Sequence, residues 1–291
     1  MIGQQIINGL MLGSVYAMVA VALTLSIGVL NFLNFSIPGL FMIGGMAFWA
    51  ISRAGVPWPL AILATLGIAA AISMVVERFT WHWLRGAEQF VPLVSSMAFL
   101  ILFEHLAVVI WGSEMRPVQL PFAGADWRLG KLIVSVPQLV GLGLSFASIL
   151  GLSLVLHHTR LGRGLRTIAE DSDTALLLGV DVKQLVPVVF VLAGLFAAVA
   201  GALFAIDYRQ VHPFMGEAIG LKGISAMIVG GMGNVWGAIV GGLIIGIAEV
   251  LSVGYIGANF VDISVFGLLL LILMVRPAGL FVGLATERGG P

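Results

Sequence analysis

From residue 6 to residue 30 the chain carries no Lys or Arg, and the first one anywhere is Arg53. A spanning helix needs about 20 consecutive apolar residues, and this run exceeds that length. Inside a bilayer every backbone N–H and C=O must be bonded within the protein, which leaves helices or closed barrels. Ten-residue segments of alternating polarity, the mark of a barrel, are not visible, so the runs are helical. The first run is too long for the apolar core of a signal peptide and lacks its basic start, so it reads as a retained span.

Composition extends this reading to the whole chain. Of 291 residues 60% are hydrophobic and 10% charged, whereas a soluble domain carries about 25% charged residues. Such a chain cannot cover itself with polar surface, and the fold class is an all-α polytopic membrane protein. The 14 Lys and Arg balance the 14 Asp and Glu, so nothing draws it to nucleic acid. With no Cys there are neither disulfides nor thiolate metal sites.

Seven runs have spanning length: residues 6–30, 57–76, 90–111, 137–156, 187–206, 233–253 and 260–275. Two shorter segments are ambiguous. After Asn31 and Asn34, Pro38-Gly39 reads as a helix break, leaving residues 40–51, roughly 18 Å of helix and too short to cross alone. Residues 218–231 repeat that character. The expectation is a bundle of about eight transmembrane helices, between about seven and nine, with two broken or re-entrant short helices. Each short segment follows a full span and precedes two more, which suggests a duplicated core. Orientation follows the basic residues. Alternation puts Arg78, Arg85, Arg160, Arg163, Arg166 and Lys183 on one side, and Arg53, Arg116, Arg128 and Lys131 on the other.

The longest polar interval is residues 156–187, and it is patterned. Leu161, Leu165, Ile168 and Ala169 form one apolar face of a helix, with Arg160, Arg163, Arg166 and Glu170 around it. Asp171, Ser172 and Asp173 are caps for a very short second helix whose body is residues 175–178 and whose left-handed stop is Gly179. Asp181, with Gln184 three residues on, caps the next helix. Ala175, Leu176, Leu177 and Leu178 at the tip of a polar loop are costly in water, since a fully buried Leu recovers about 1.5–3 kcal/mol. On pattern alone two readings stand: a docking surface for a partner, or an amphipathic loop folded back on its own bundle.

Residues 161–180, LGRGLRTIAEDSDTALLLGV, resemble the cytoplasmic coupling loop of permease subunits of bacterial ABC importers for branched-chain amino acids. GSVYA at residues 13–17 through Asn34-Phe35, and GGMGNVWGAIVGG at residues 230–242 with Glu249, are similar to the same family. The chain departs from it at residues 36–39 and at Gly223-Ile224. The resemblance implies a single transmembrane permease domain, with residues 158–186 as its coupling loop, in the bacterial cytoplasmic (inner) membrane. It implies an importer of branched-chain or other hydrophobic amino acids; related importers carry amides, urea or other small organic solutes. It implies as partners two ABC ATPase subunits, a related but different second permease subunit and an extracytoplasmic solute-binding protein, alongside the lipid bilayer. The coupling residues are then Arg163, Arg166, Ala169, Glu170, Asp171, Ala175, Leu176, Leu177, Leu178 and Gly179.

No G-x-x-x-x-G-K-[ST] occurs, so the chain does not cradle ATP by a P-loop and the energy source is another subunit. Neither H-E-x-x-H nor G-x-S-x-G is present, and the five His are scattered; the chain is read as a transport subunit, not an enzyme, with no cofactor or metal. For the translocation pathway the residues are Asn31, Asn34, Ser36, Gly230, Gly231, Gly233 and Asn234, because unwound backbone at membrane depth is tolerated where it is buried or lines a cavity. Close helix packing is the competing role for the glycines. Glu104 and His105 read as an ionisable pair within a span, and Glu249 and Asp262 as residues near span ends that reach the interface. A secondary transporter or channel is the rival from another class. It would place several paired ionisable groups at mid-depth and would have no need of an apolar-tipped loop.

Overall fold

A computed structural model describes residues 2–84, 88, 90–119, 126–129 and 132–281. Among these, eleven α-helices account for almost all regular structure. They are α1 (Ile2–Leu30), α2 (Ser36–Arg53), α3 (Trp58–Glu77), α4 (Phe90–Trp111), α5 (Val136–His158), α6 (Arg160–Glu170), α7 (Ser172–Leu177), α8 (Val182–Tyr208), α9 (Met215–Gly230), α10 (Val235–Tyr255) and α11 (Val261–Val275). α3 continues into a π-helical turn, Arg78–His82, and a 3-10 turn, Ala258–Phe260, leads into α11. Among the described residues seven helical segments are long and apolar enough to cross a membrane, α3 counted with its π-helical turn and α11 with its 3-10 turn.

Pro38-Gly39 does not break α2 but starts it. Pro38 stands third in the helix, where an N–H would lack an intrahelical acceptor in any case. At 18 residues α2 is roughly 27 Å long, close to the hydrocarbon thickness, and it is one unbroken helix. α9, likewise continuous, begins three residues before the expected segment. As expected, Asp181 caps α8 by accepting from Lys183 N at 2.9 Å, so the helix starts ahead of the apolar run and Pro187 lies inside it. Within the expected loop at residues 112–136, β2 (Asp126–Leu129) and β3 (Leu132–Ser135) form an antiparallel hairpin, and β1 (Arg116–Pro117) pairs with β4 (Gln210–Val211).

The centre is built by α1, α2, α8 and α9. Packing pairs obey an exchange: replacing α1, α2, α3 and α4 by α8, α9, α10 and α11 carries α1·α10 into α8·α3, α1·α9 into α8·α2, α2·α3 into α9·α10 and α2·α4 into α9·α11. α1 and α8 are antiparallel, with Val29 beside Val186 at one end and Asn8 beside Asp207 at the other. This is the packing of a duplicated core whose halves run in opposite directions.

Small residues set the crossings. A Cβ on Gly13 would fall on the Leu243 backbone, and one on Gly246 would fall on the backbone of Gly13 itself. Gly44 and Gly201 allow the same approach between α2 and α8. Close backbone contact of this kind replaces the hydrophobic drive that lipid cannot supply.

The bundle has two distinct ends. At one, Arg53 and Arg116 lie over the Trp49 ring at 5.6 and 5.9 Å from its centroid, and Trp49 Nε1 donates to Pro117 O at 3.1 Å. At the other, α6 and α7 lie near the ends of α1 and α3. Alternation of the basic residues agrees with this grouping for Arg53, Arg116, Arg78, Arg160, Arg163, Arg166 and Lys183; Arg85 and Lys131 fall outside the described residues, as does the Arg128 side chain.

Candidate functional site

The interval between α5 and α8 is a capped two-helix unit. Thr159 Oγ1 accepts from Gly162 N at 3.1 Å and starts α6. The buried face of α6 is Gly162, Leu165 and Ile168, so the expected stripe is turned by one position. Leu161 lies at its edge, exposed, and Ala169 is half-buried. Arg163, Arg166 and Glu170 face out. Asp171 Oδ1 accepts from Thr174 N at 3.2 Å and caps α7.

Gly179 ends α7 at φ +80°, a conformation glycine adopts without steric cost. Its N–H bonds Leu176 O at 3.1 Å, and Val180 N bonds Ala175 O at 3.0 Å. Ala175 points inward and is fully buried, so of the four apolar tip residues three remain outside. Leu176, Leu177 and Leu178 are 58%, 88% and 70% exposed. Beneath them a groove of about 420 Å³ contains Asn31, Trp81, Leu176 and Lys183.

The expected pathway residues are placed by turn formation. Asn31, at φ +57°, is the left-handed residue that ends α1, a role Asn tolerates, and it borders the groove under α7. Asn34 Oδ1 accepts from Ser36 N at 3.1 Å and from Ser36 Oγ at 2.6 Å, so these two buried residues bond each other at the start of α2. Gly230, Gly231 and Gly233 form the tight α9–α10 connection, against which Leu280 and Phe281 donate to Val229 O and Gly230 O. Asn234 caps α10 by accepting from Gly237 N at 3.1 Å. The structure therefore brings Asn31 to the groove under α7 and folds the glycine run into the α9–α10 turn.

Glu104 and His105 are not a bonded pair, since neighbours on a helix diverge by about 100°. His105 is exposed and its Nδ1 lies 2.9 Å from Ile101 O; Glu104 is buried and its Oε1 has no partner among the described residues.

At the end opposite α7 a second feature appears. Glu249 does not reach an interface but is buried: its Oε2 accepts from Tyr16 Oη at 2.8 Å and its Oε1 pairs with Lys222 Nζ at 2.7 Å. Asp262, well exposed, stands 3.9 Å from the same Nζ. Beside this cluster, α1, α5, α8 and α10 line a half-open cavity of about 440 Å³ that includes Asn8, Gln138, Asp207 and Glu249. Sequence reasoning missed it. Its one visible trace is the polar spacing of Gln5 and Asn8 in the first turns of an otherwise apolar helix.

The model of the "Branched-chain amino acid transport system / permease component" family matches residues 5–276. The chain belongs to this family. The permease is 32% identical over 290 residues to the high-affinity branched-chain amino acid transport system permease protein BraD of Pseudomonas aeruginosa, covering 95% of this chain and 94% of that one. It is equally similar, 32% over 292 residues with the same coverage, to LivH of Escherichia coli strain K12, a permease protein of the same description. In fold it is similar to a chain of PsaBC from Streptococcus pneumoniae in complex with Fab, with a TM-score of 0.51 at 13% identity over 95% of this chain and 92% of that chain. The permease is thus a multi-pass inner-membrane protein of the transport class.

Proposed function

We propose that this chain is the membrane-spanning permease subunit of an ATP-driven importer of branched-chain amino acids, and that a separate ATPase grips it at Leu176, Leu177 and Leu178. The observation that carries this reading is the exposed leucine tip on a helix capped at both ends by Asp171 and Gly179. Three leucines held rigidly in water are stabilised chiefly by a partner that covers them, at up to about 1.5–3 kcal/mol each. Arg163, Arg166 and Glu170 on the outward face of α6 frame that contact. The relatives' transport of branched-chain amino acids and the absence of a P-loop from this chain support the same assignment. The loop end then faces the cytoplasm, beside two ATPase subunits, and the Trp49–Arg53–Arg116 end faces the solute-binding protein. A second, related permease subunit completes the membrane part.

Closure of the ATPases would push α6 and α7 against the ends of α1 and α3 and rock the bundle between inward-open and outward-open states. The test is uptake of labelled leucine by vesicles containing the complete importer. Leu177→Asp and Gly179→Arg should each abolish uptake while the chain still inserts and copurifies with the second permease subunit. Normal uptake with either change would overturn the docking assignment, and concentrative uptake by this chain alone would instead establish a secondary transporter.

A further inference from the structure

The cavity at the end away from α7 is unusual in how its polar groups are used up. Glu249 has both oxygens committed, one to Lys222 and one to Tyr16. Asp207, near the C-terminal end of α8, is not committed: its Oδ1 is buried and has no hydrogen-bond partner among the described residues. A buried carboxylate oxygen left without a partner is costly, and a ligand cation removes that cost.

Of the three amides at the cavity, Gln5, Asn8 and Gln138, the last two are engaged among the described residues through their oxygens. Asn8 Oδ1 accepts from Gln4 Nε2 at 3.2 Å, and Gln138 Oε1 accepts from Ser135 N at 3.0 Å in the capping box of α5. Each therefore keeps an NH₂ group to donate. Apolar surface comes from Leu12 on α1 and Val250 on α10. One free carboxylate, two free amide donors and an aliphatic wall are the complement of an ammonium, a carboxylate and a hydrocarbon side chain. The volume, about 440 Å³, lies in the range of small-molecule sites.

We infer that this cavity is a binding site for a zwitterionic α-amino acid with an aliphatic side chain, with Asp207 receiving the ammonium, Asn8 and Gln138 the carboxylate, and Leu12 with Val250 the side chain. The assignment deepens the transport reading and rests on it for the cavity's place on the import route. Glu249 lines the site but is held neutralised by Lys222 and Tyr16, so that Asp207 is the carboxylate that selects the cation.

Since the chain has no Cys, Val253→Cys, at the cavity, gives it a single thiol whose maleimide labelling can be followed by mass in the complete importer in nanodiscs. Leucine should slow that labelling about tenfold when present at roughly ten times its Kd, as occupancy dictates. 4-Methylpentanoate, which lacks the ammonium, and isoamylamine, which lacks the carboxylate, should not slow it at the same concentration. Adding Asp207→Asn should remove the protection by leucine, and Asp207→Glu should restore part of it. Labelling indifferent to leucine, in a complex that still imports leucine, would overturn the site, as would undiminished protection in Asp207→Asn. Protection that persists while Leu177→Asp leaves uptake unchanged would sink the docking assignment and leave the cavity standing.

Discussion

The two ends of this bundle invert their surroundings in opposite senses. At the α7 end an apolar cluster, Leu176, Leu177 and Leu178, is held in water on a polar frame. At the far end a polar cluster, Tyr16, Lys222 and Glu249, is held inside an apolar bundle. Neither arrangement is what a membrane helix bundle adopts by default, since apolar groups leave water and charges stay out of hydrocarbon. Both persist because local bonding fixes them: caps at Asp171 and Gly179 on one side, mutual ion pairing on the other. What differs is how far each is completed. The polar cluster is satisfied within the chain, whereas the leucine tip is left exposed by it.

That contrast can be broken by substitution. Lys222→Met should have the largest effect on stability, since removing one partner of a buried pair costs about 3–5 kcal/mol. It is read as a fall in the thermal midpoint of the detergent-purified protein, and adding Glu249→Gln should recover much of the loss. Leu177→Asp should do the reverse, leaving that midpoint nearly unchanged while uptake is lost. Equal thermal losses for the two would erase the distinction between the ends. Gly179→Ala is smaller: a Cβ in the left-handed region costs about 1–2 kcal/mol, although the space around Gly179 is open. Its mark should be faster amide exchange confined to Gly179 and Val180, whose N–H groups close the cap.

The smallest effect is a pH dependence at the connection between α8 and α9. Burial pushes the His212 imidazole below its ordinary value of 6.5. The folded state thus binds its proton less readily than the unfolded state, and stability is full above about pH 6.5. It declines as pH falls toward the depressed folded value. A midpoint-against-pH comparison of the natural chain with His212→Gln should show a slightly steeper acid-side fall in the natural chain.

Much of the fold was legible. α4 was read to the residue at both ends, because its apolar run is bounded by polar sequence. The α6–α7–α8 punctuation was legible too, because capping is local: Asp171, Gly179 and Asp181 act within three residues of themselves. Pro38 was misread because a proline looks the same in the first turn of a helix as at a break, and only the bonding of Asn34 to Ser36 decides between them. The polar cluster could not be read at all. Tyr16 and Glu249 are 233 positions apart, and no period or motif joins them. For Asn8 and Gln138 the sequence shows an amide, but which of its atoms is already occupied is a fact of the folded chain.

One consequence of the α1–α10 crossing concerns inheritance. Gly13 and Gly246 meet with no room for a Cβ on either side, and every other amino acid carries one. Any missense change in either codon is therefore a steric lesion, whatever the chemistry of the new side chain. At this crossing the gene has no conservative alternative to draw on, and variation there should be confined to silent changes.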